Sequence, residues 1–74
     1  MAFKMNYKEI SGRIIEKNKN FLGKYYFKIS DGTEIVKVFV GKGLYDFYDV
    51  NKEVTIGYIN RKLINIRPIS AETK

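Results

Sequence analysis

The sequence predicts an all-β protein, a five-stranded Greek-key barrel with one short helix between the third and fourth strands. Three observations lead there. Apolar and polar residues alternate with the two-residue period of a strand in successive short segments. Turn signals recur at the regular spacing of sheet proteins, with no long helical segments between them as in alternating βαβ units. Gly12 and Gly57 interrupt two strands where bending or a close backbone approach is needed to close a small barrel.

The first strand is expected from Tyr7 to about Lys17. Ile10, Gly12 and Ile14 fall on one face, and Ser11, Arg13 and Ile15 on the other. A polar loop, Asn18-Lys19-Asn20, carries Phe21 and Leu22 at its tip and closes at Gly23. Two strands follow, Lys24–Ser30 and Glu34–Val40, joined by the turn Asp31-Gly32-Thr33. Aspartate can bond nearby backbone N–H groups there and glycine accepts positive φ. On one face of this hairpin lie Tyr25, Phe27 and Ile29, with Val36, Val38 and Val40 as partners; on the other lie Tyr26, Lys28 and Ser30 beside Ile35, Lys37 and Phe39. Past Val40 the period changes, and one helical turn at about Leu44–Tyr48 is expected to cap the barrel with Leu44 and Phe47. Asp49-Val50-Asn51-Lys52 turns into the fourth strand, Glu53–Ile59, where Val54, Ile56 and Tyr58 share a face. Asn60-Arg61-Lys62 connects it to the last strand, Leu63–Pro68, with Ile64 and Ile66 facing inward and Asn65 and Arg67 outward. Pro68 has no N–H to donate and suits a strand end, and Ser70–Lys74 is expected to be a frayed tail.

At 74 residues the chain has room for one domain, with a core at about 7–69 and short flexible ends. Such a chain buries only about 60% of the surface its unfolded form exposes, so sheet closure has to supply much of the order. There is no cysteine, which removes disulfides and thiolate metal sites, and no histidine, which removes the commonest metal ligand and general base. No cofactor, no metal and no enzymatic activity are expected. Asp46 and Asp49 read as a solvated turn balanced by Lys42 and Lys52. Gly41-Lys42-Gly43 lacks the spacing and the hydroxyl residue of a phosphate loop. The apolar runs are too short to span a membrane, and Met1-Ala2-Phe3-Lys4-Met5 has no apolar signal segment, so a cytoplasmic location without membrane association is expected.

The formal charge is +6, and it is segregated. Arg13, Lys17, Lys19, Lys24 and Lys28 face only Glu16 across residues 13–28. Residues 29–53 are acidic in balance, and Arg61, Lys62 and Arg67 restore positive charge near the end. This segregation favours a polyanionic partner.

In Ile10-Ser11-Gly12-Arg13-Ile14, Phe27-Lys28-Ile29-Ser30-Asp31-Gly32-Thr33, Val36-Lys37-Val38 and Asp49-Val50-Asn51-Lys52-Glu53-Val54 the chain resembles OB-fold nucleic-acid-binding domains of the replication protein A and anticodon-binding type. The resemblance spans about Tyr7 to Ile69, and its motifs encode a bent strand and tight turns more than a ligand. The chain departs from the pattern in having no tryptophan and no acidic apolar tip at Ser70-Ala71-Glu72-Thr73-Lys74.

The resemblance implies a ligand lying across the second and third strands between the first-to-second and fourth-to-fifth loops. Single-stranded DNA, ahead of RNA, is the expected partner, bound with little sequence preference. Tyr26 and Phe39 are expected to stack on bases, with Phe21 extending the platform. Arg13, Lys28 and Lys37 would neutralise phosphates beside them. Lys17, Lys19 and Lys24 would hold one end of the strand, and Arg61, Lys62 and Arg67 the other. Cross-strand packing competes for the two rings, and Phe21 serves equally as a plug for the barrel end. The alternative is a protein-interaction module, or a small subunit of a nucleic-acid-processing assembly, in which Tyr26, Ile35 and Phe39 form an apolar interface with a protein or a second copy of the chain. An SH3-like barrel is disfavoured by the long, bent first strand.

Overall fold

The computed structural model describes residues 6–69. Its strands are β1 (Tyr7–Lys19), β2 (Tyr25–Ser30), β3 (Ile35–Val40), β4 (Glu53–Ile59) and β5 (Lys62–Pro68), with one helix, α1 (Lys42–Phe47), between β3 and β4. They close in the order β1-β2-β3-β5-β4, an all-β arrangement compatible with an OB-like barrel. β1 runs on to Lys19, and the helix begins and ends earlier than the sequence pattern predicts. The expected tail at 70–74 and the segment 1–5 lie outside the described residues.

β1 is the strand that turns the sheet back on itself. Its first half, Tyr7–Arg13, pairs with β4, and its second half pairs with β2. Gly12 sits where these halves meet, and a Cβ there would collide with the Ser30 carbonyl group. The glycine is thus required by close backbone approach. The turn before β4 is zipped onto the same strand: Asn51 N–H donates to the Ile14 carbonyl at 2.7 Å, and Ile14 N–H to the Lys52 carbonyl at 2.9 Å.

The inner face of the β2–β3 hairpin is as the alternation predicts. Tyr25, Phe27 and Ile29 pair with Val40, Val38 and Val36, and Phe27, Ile29 and Val38 are wholly buried with Ile14, Val54 and Ile56.

Two bulges reset the alternation, and one of them overturns a face assignment. In β1 the pairing passes from Ile14↔Ile29 to Glu16↔Lys28, leaving Ile15 as the extra residue. Everything after it changes face, because the side-chain period is two. In β5 the pairing passes from Gly57↔Asn65 to Tyr58↔Leu63. Ile64, expected inside, is therefore 48% exposed, and Leu63 packs against the core with Ile66. The helix brings a second correction. Leu44, Tyr45 and Tyr48 cover the barrel end, whereas Phe47, expected there, points outward and is 74% exposed.

Closure between β3 and β5 rests on a single parallel bridge, Phe39↔Lys62. The Phe39 N–H donates to the Arg61 carbonyl at 2.7 Å and holds the β4–β5 turn against the end of β3. Asn60 occupies the left-handed region there (φ 58°), which asparagine tolerates better than most residues.

Candidate functional site

A cleft of about 710 Å³ opens beside that bridge, between the β1–β2 loop, the end of β3, the start of α1 and the β4–β5 turn. Lys24, Lys42, Arg61 and Lys62 line it, and no carboxylate does. Its apolar wall is made by Tyr25, Phe39 and Leu63. The hydrogen bond from Phe39 to Arg61 explains the convergence, since it brings the basic turn to the aromatic end of β3. Lys42 is partly committed: its ammonium donates to Asp46 at 2.7 Å, and this bond holds its pKa above the ordinary lysine value. Among the described residues, Lys24, Arg61 and Lys62 make no ion pair, so the potential they create is uncompensated within the cleft.

Lys24, Phe39, Arg61 and Lys62, expected from the sequence to meet ligand, are thus brought together. Tyr25 and Lys42 join them although the sequence reading gave neither a ligand role. Tyr25 alternates inward with Phe27, but as the first residue of β2 it stands at the barrel mouth, and that terminal position is the signal that could have identified it.

The centre of the β2–β3 outer face is more enclosed. Tyr26 lies opposite Phe39, with ring centroids 6.2 Å apart and edge-to-face. Only 9% of Tyr26 is exposed, because the Lys37 ammonium sits 4.4 Å from its ring centroid and the Glu16 carboxylate accepts its hydroxyl at 3.1 Å. Burial first, and then the Glu16 bond and charge, push the phenol above its ordinary pKa. Lys37 also lies over Phe39, at 5.4 Å. Lys28 faces Glu16 at 3.6 Å, so that cation is already paired. A base could stack on Tyr26 only after Lys37 moved aside, whereas Phe39 is half-buried and reaches the cleft.

Lys17 does not line the cleft. The Ile15 bulge puts it opposite Phe27 and turns it beneath the helix, with its side chain 17% exposed. Its ammonium donates to the carbonyls of Tyr45 and Tyr48 (2.8 Å for the latter), lies 4.4 Å from the Tyr45 ring centroid and faces Asp49 at 3.7 Å. It therefore closes the C-terminal end of α1, where orphan carbonyls need donors. Lys19 is exposed at the other end of the same row, 5.6 Å from the Tyr25 ring.

Arg13 lies at a different concavity, a groove of about 440 Å³ that also takes in Ser30, Asp31, Glu53 and Ile69. There it faces Glu53 at 3.2 Å. Arg67, on β5 opposite Thr55, is exposed and lines neither concavity. Phe21, at the tip of the β1–β2 loop, is 95% exposed and plugs nothing.

Comparison with family models, curated proteins and solved structures finds no match for this chain.

Proposed function

We propose that the protein binds single-stranded nucleic acid, DNA ahead of RNA, through phosphate neutralisation and base stacking with little sequence preference. The supporting observation is the cleft beside Phe39, where Lys24, Lys42, Arg61 and Lys62 surround an aromatic wall and no carboxylate intervenes. Phosphates would be met by Lys24, Arg61 and Lys62, with Lys19 and Lys37 extending the path. Phe39 and Tyr25 supply flat apolar surface for bases, worth about 1–3 kcal/mol per stacked base. A duplex keeps its bases stacked on each other, so a single strand is the better match to such a wall.

The test is fluorescence anisotropy with labelled oligonucleotides across a salt series. Single strands should bind more tightly than duplex, and the affinity should fall steeply as salt rises. Phe39→Ala should weaken binding while leaving the salt slope unchanged. Absence of binding to single strands at low salt excludes this function.

A protein-interaction module is the second reading, favoured by the exposure of Ile35 and Phe47, 61% and 74%. It entails a protein complex that Ile35→Ser or Phe47→Ser disrupts and that salt affects little.

A further inference from the structure

The β1–β2 loop is an apolar tip on a rigid support. Asn20 organises it: its side-chain carbonyl oxygen accepts the N–H groups of Leu22 and Lys24, each at 2.9 Å. Asn20 N–H donates to the Lys24 carbonyl, and Gly23 N–H to the Asn20 carbonyl, again at 2.9 Å. Gly23 adopts φ +84°, the conformation that lets the loop close in so few residues. The tip presents Phe21, 95% exposed, and Leu22, 68% exposed. The sequence around it is basic, with Lys19 before and Lys24 after, and Gly23 and Lys24 themselves line the cleft.

A local hydrogen-bond network fixes the loop, so neither apolar side chain is held out by packing against the barrel. An exposed aromatic residue on a preorganised loop loses little conformational freedom on docking. The flanking lysines select a partner whose apolar surface is bordered by negative charge. The outer face of a terminal base pair has that character: a flat apolar plate edged by two phosphate strands. It is also wider than one base, which suits two adjacent apolar side chains better than a single stacked nucleotide does.

Resting on the single-strand function proposed above, we infer that the Phe21–Leu22 tip docks on the end of a duplex whose single-stranded tail occupies the cleft. The protein thereby recognises a junction between paired and unpaired nucleic acid. Apolar side chains serve as wedges against base steps elsewhere in nucleic-acid recognition. Here the tip meets a step that is already open and has no unstacking to overcome.

The experiment compares a single dT strand of about 10 nucleotides with the same strand extended by a blunt hairpin duplex, using anisotropy at one salt concentration. The wild-type protein should bind the tailed duplex about tenfold more tightly than the free tail, the effect of one favourable stacking contact. Phe21→Ala should abolish that difference by weakening the tailed duplex. Phe21→Trp should retain the preference, with its emission quenched only by the tailed duplex. Equal wild-type affinity for the two probes overturns the inference and leaves the single-strand function standing. So does a Phe21→Ala variant that loses both probes equally, because Phe21 then belongs to the single-strand path. Failure of both probes to bind removes the two readings together. Binding to anionic phospholipid vesicles through Phe21, without a junction preference, replaces the inference by a membrane-contacting tip.

Discussion

The two concavities of this barrel each hold an arginine and arrive at different electrostatics. In the groove at the β2–β3 turn, Arg13 is matched by Glu53 at 3.2 Å. The Asp31 carboxylate there accepts the N–H groups of Thr33 and Glu34 at 2.8 and 2.9 Å. The charges of this groove are used to hold the chain together. In the cleft at the β4–β5 turn, Lys24, Arg61 and Lys62 have no acidic counterpart among the lining residues. Charge count along the sequence treats Arg13 and Arg61 alike. What separates them is whether cross-strand pairing delivers a carboxylate, as the Arg13↔Glu53 register does. Unspent charge, more than total charge, is what a polyanion can use.

The largest expected effect tests whether the groove is structural and the cleft open. Gly12→Ala drives a methyl group into the Ser30 carbonyl, and backbone cannot yield as a flexible side chain does. Its unfolding free energy should fall by about 3 kcal/mol or more, beyond the usual range for overpacking, in urea titrations. Gly41, which lines the cleft, has φ −77° and nothing near its missing Cβ. Gly41→Ala places alanine at the helix N-cap, a poorer cap than glycine, and should cost about 1 kcal/mol or less. Equal costs at the two glycines would dissolve the contrast.

Lys17 sharpens the comparison from within the basic cluster. Lys17→Met keeps the aliphatic stem and deletes the donors to Tyr45 and Tyr48, leaving those carbonyls unpaired beneath the helix. A loss of about 1–3 kcal/mol is expected, the cost of unsatisfied buried groups. The salt dependence of oligonucleotide binding should not change, because this ammonium is already committed. A flatter slope would show that Lys17 leaves the helix to meet phosphate.

The sequence pattern carried much of this architecture, and its errors along the strands trace to bulges. Strand identity and the inner face of the β2–β3 hairpin follow from strict alternation, and Gly12 announced the bend. Ile64 was misplaced because alternation assumes an unbroken ladder, and the turn of Lys17 beneath the helix has the same origin. Each lies just beyond or within a bulge, and an extra residue reverses facing without altering composition. For the candidate site, Lys24, Phe39, Arg61 and Lys62 were legible as basic loops flanking an aromatic strand. The enclosure of Tyr26 was not, since it depends on Lys37 lying across its ring, a contact between residues on neighbouring strands.

At the cleft itself, removing two cations should act on binding and leave the fold intact. Arg61→Ala with Lys62→Ala should weaken single-strand binding by about tenfold at moderate salt. The slope of log affinity against log salt should flatten by about 1.4, the release expected for two phosphate contacts on a single strand. Arg13→Ala should leave both affinity and slope near wild type, because Glu53 already occupies the guanidinium. Equal losses from the two sites would mean that the groove, too, lies on the path of the strand.

The smallest effect lies on the groove side and concerns pH. The N–H groups of Glu34 and Thr33 hold the Asp31 pKa below its ordinary value. A carboxylate with a depressed folded-state pKa stabilises the protein fully above its unfolded pKa, and that contribution is lost as pH falls through the folded value. Thermal stability should therefore decline on acidification through and below the ordinary aspartate range. Asp31→Asn retains an oxygen that can accept the same two N–H groups but cannot titrate, so its acid decline should be shallower than that of wild type. Asp31→Ala should be less stable than Asp31→Asn at neutral pH, because it removes the acceptor as well as the charge. If the asparagine and wild-type proteins lose stability in parallel on acidification, the carboxylate's charge does not hold this turn, and other acids on the barrel set the acid response.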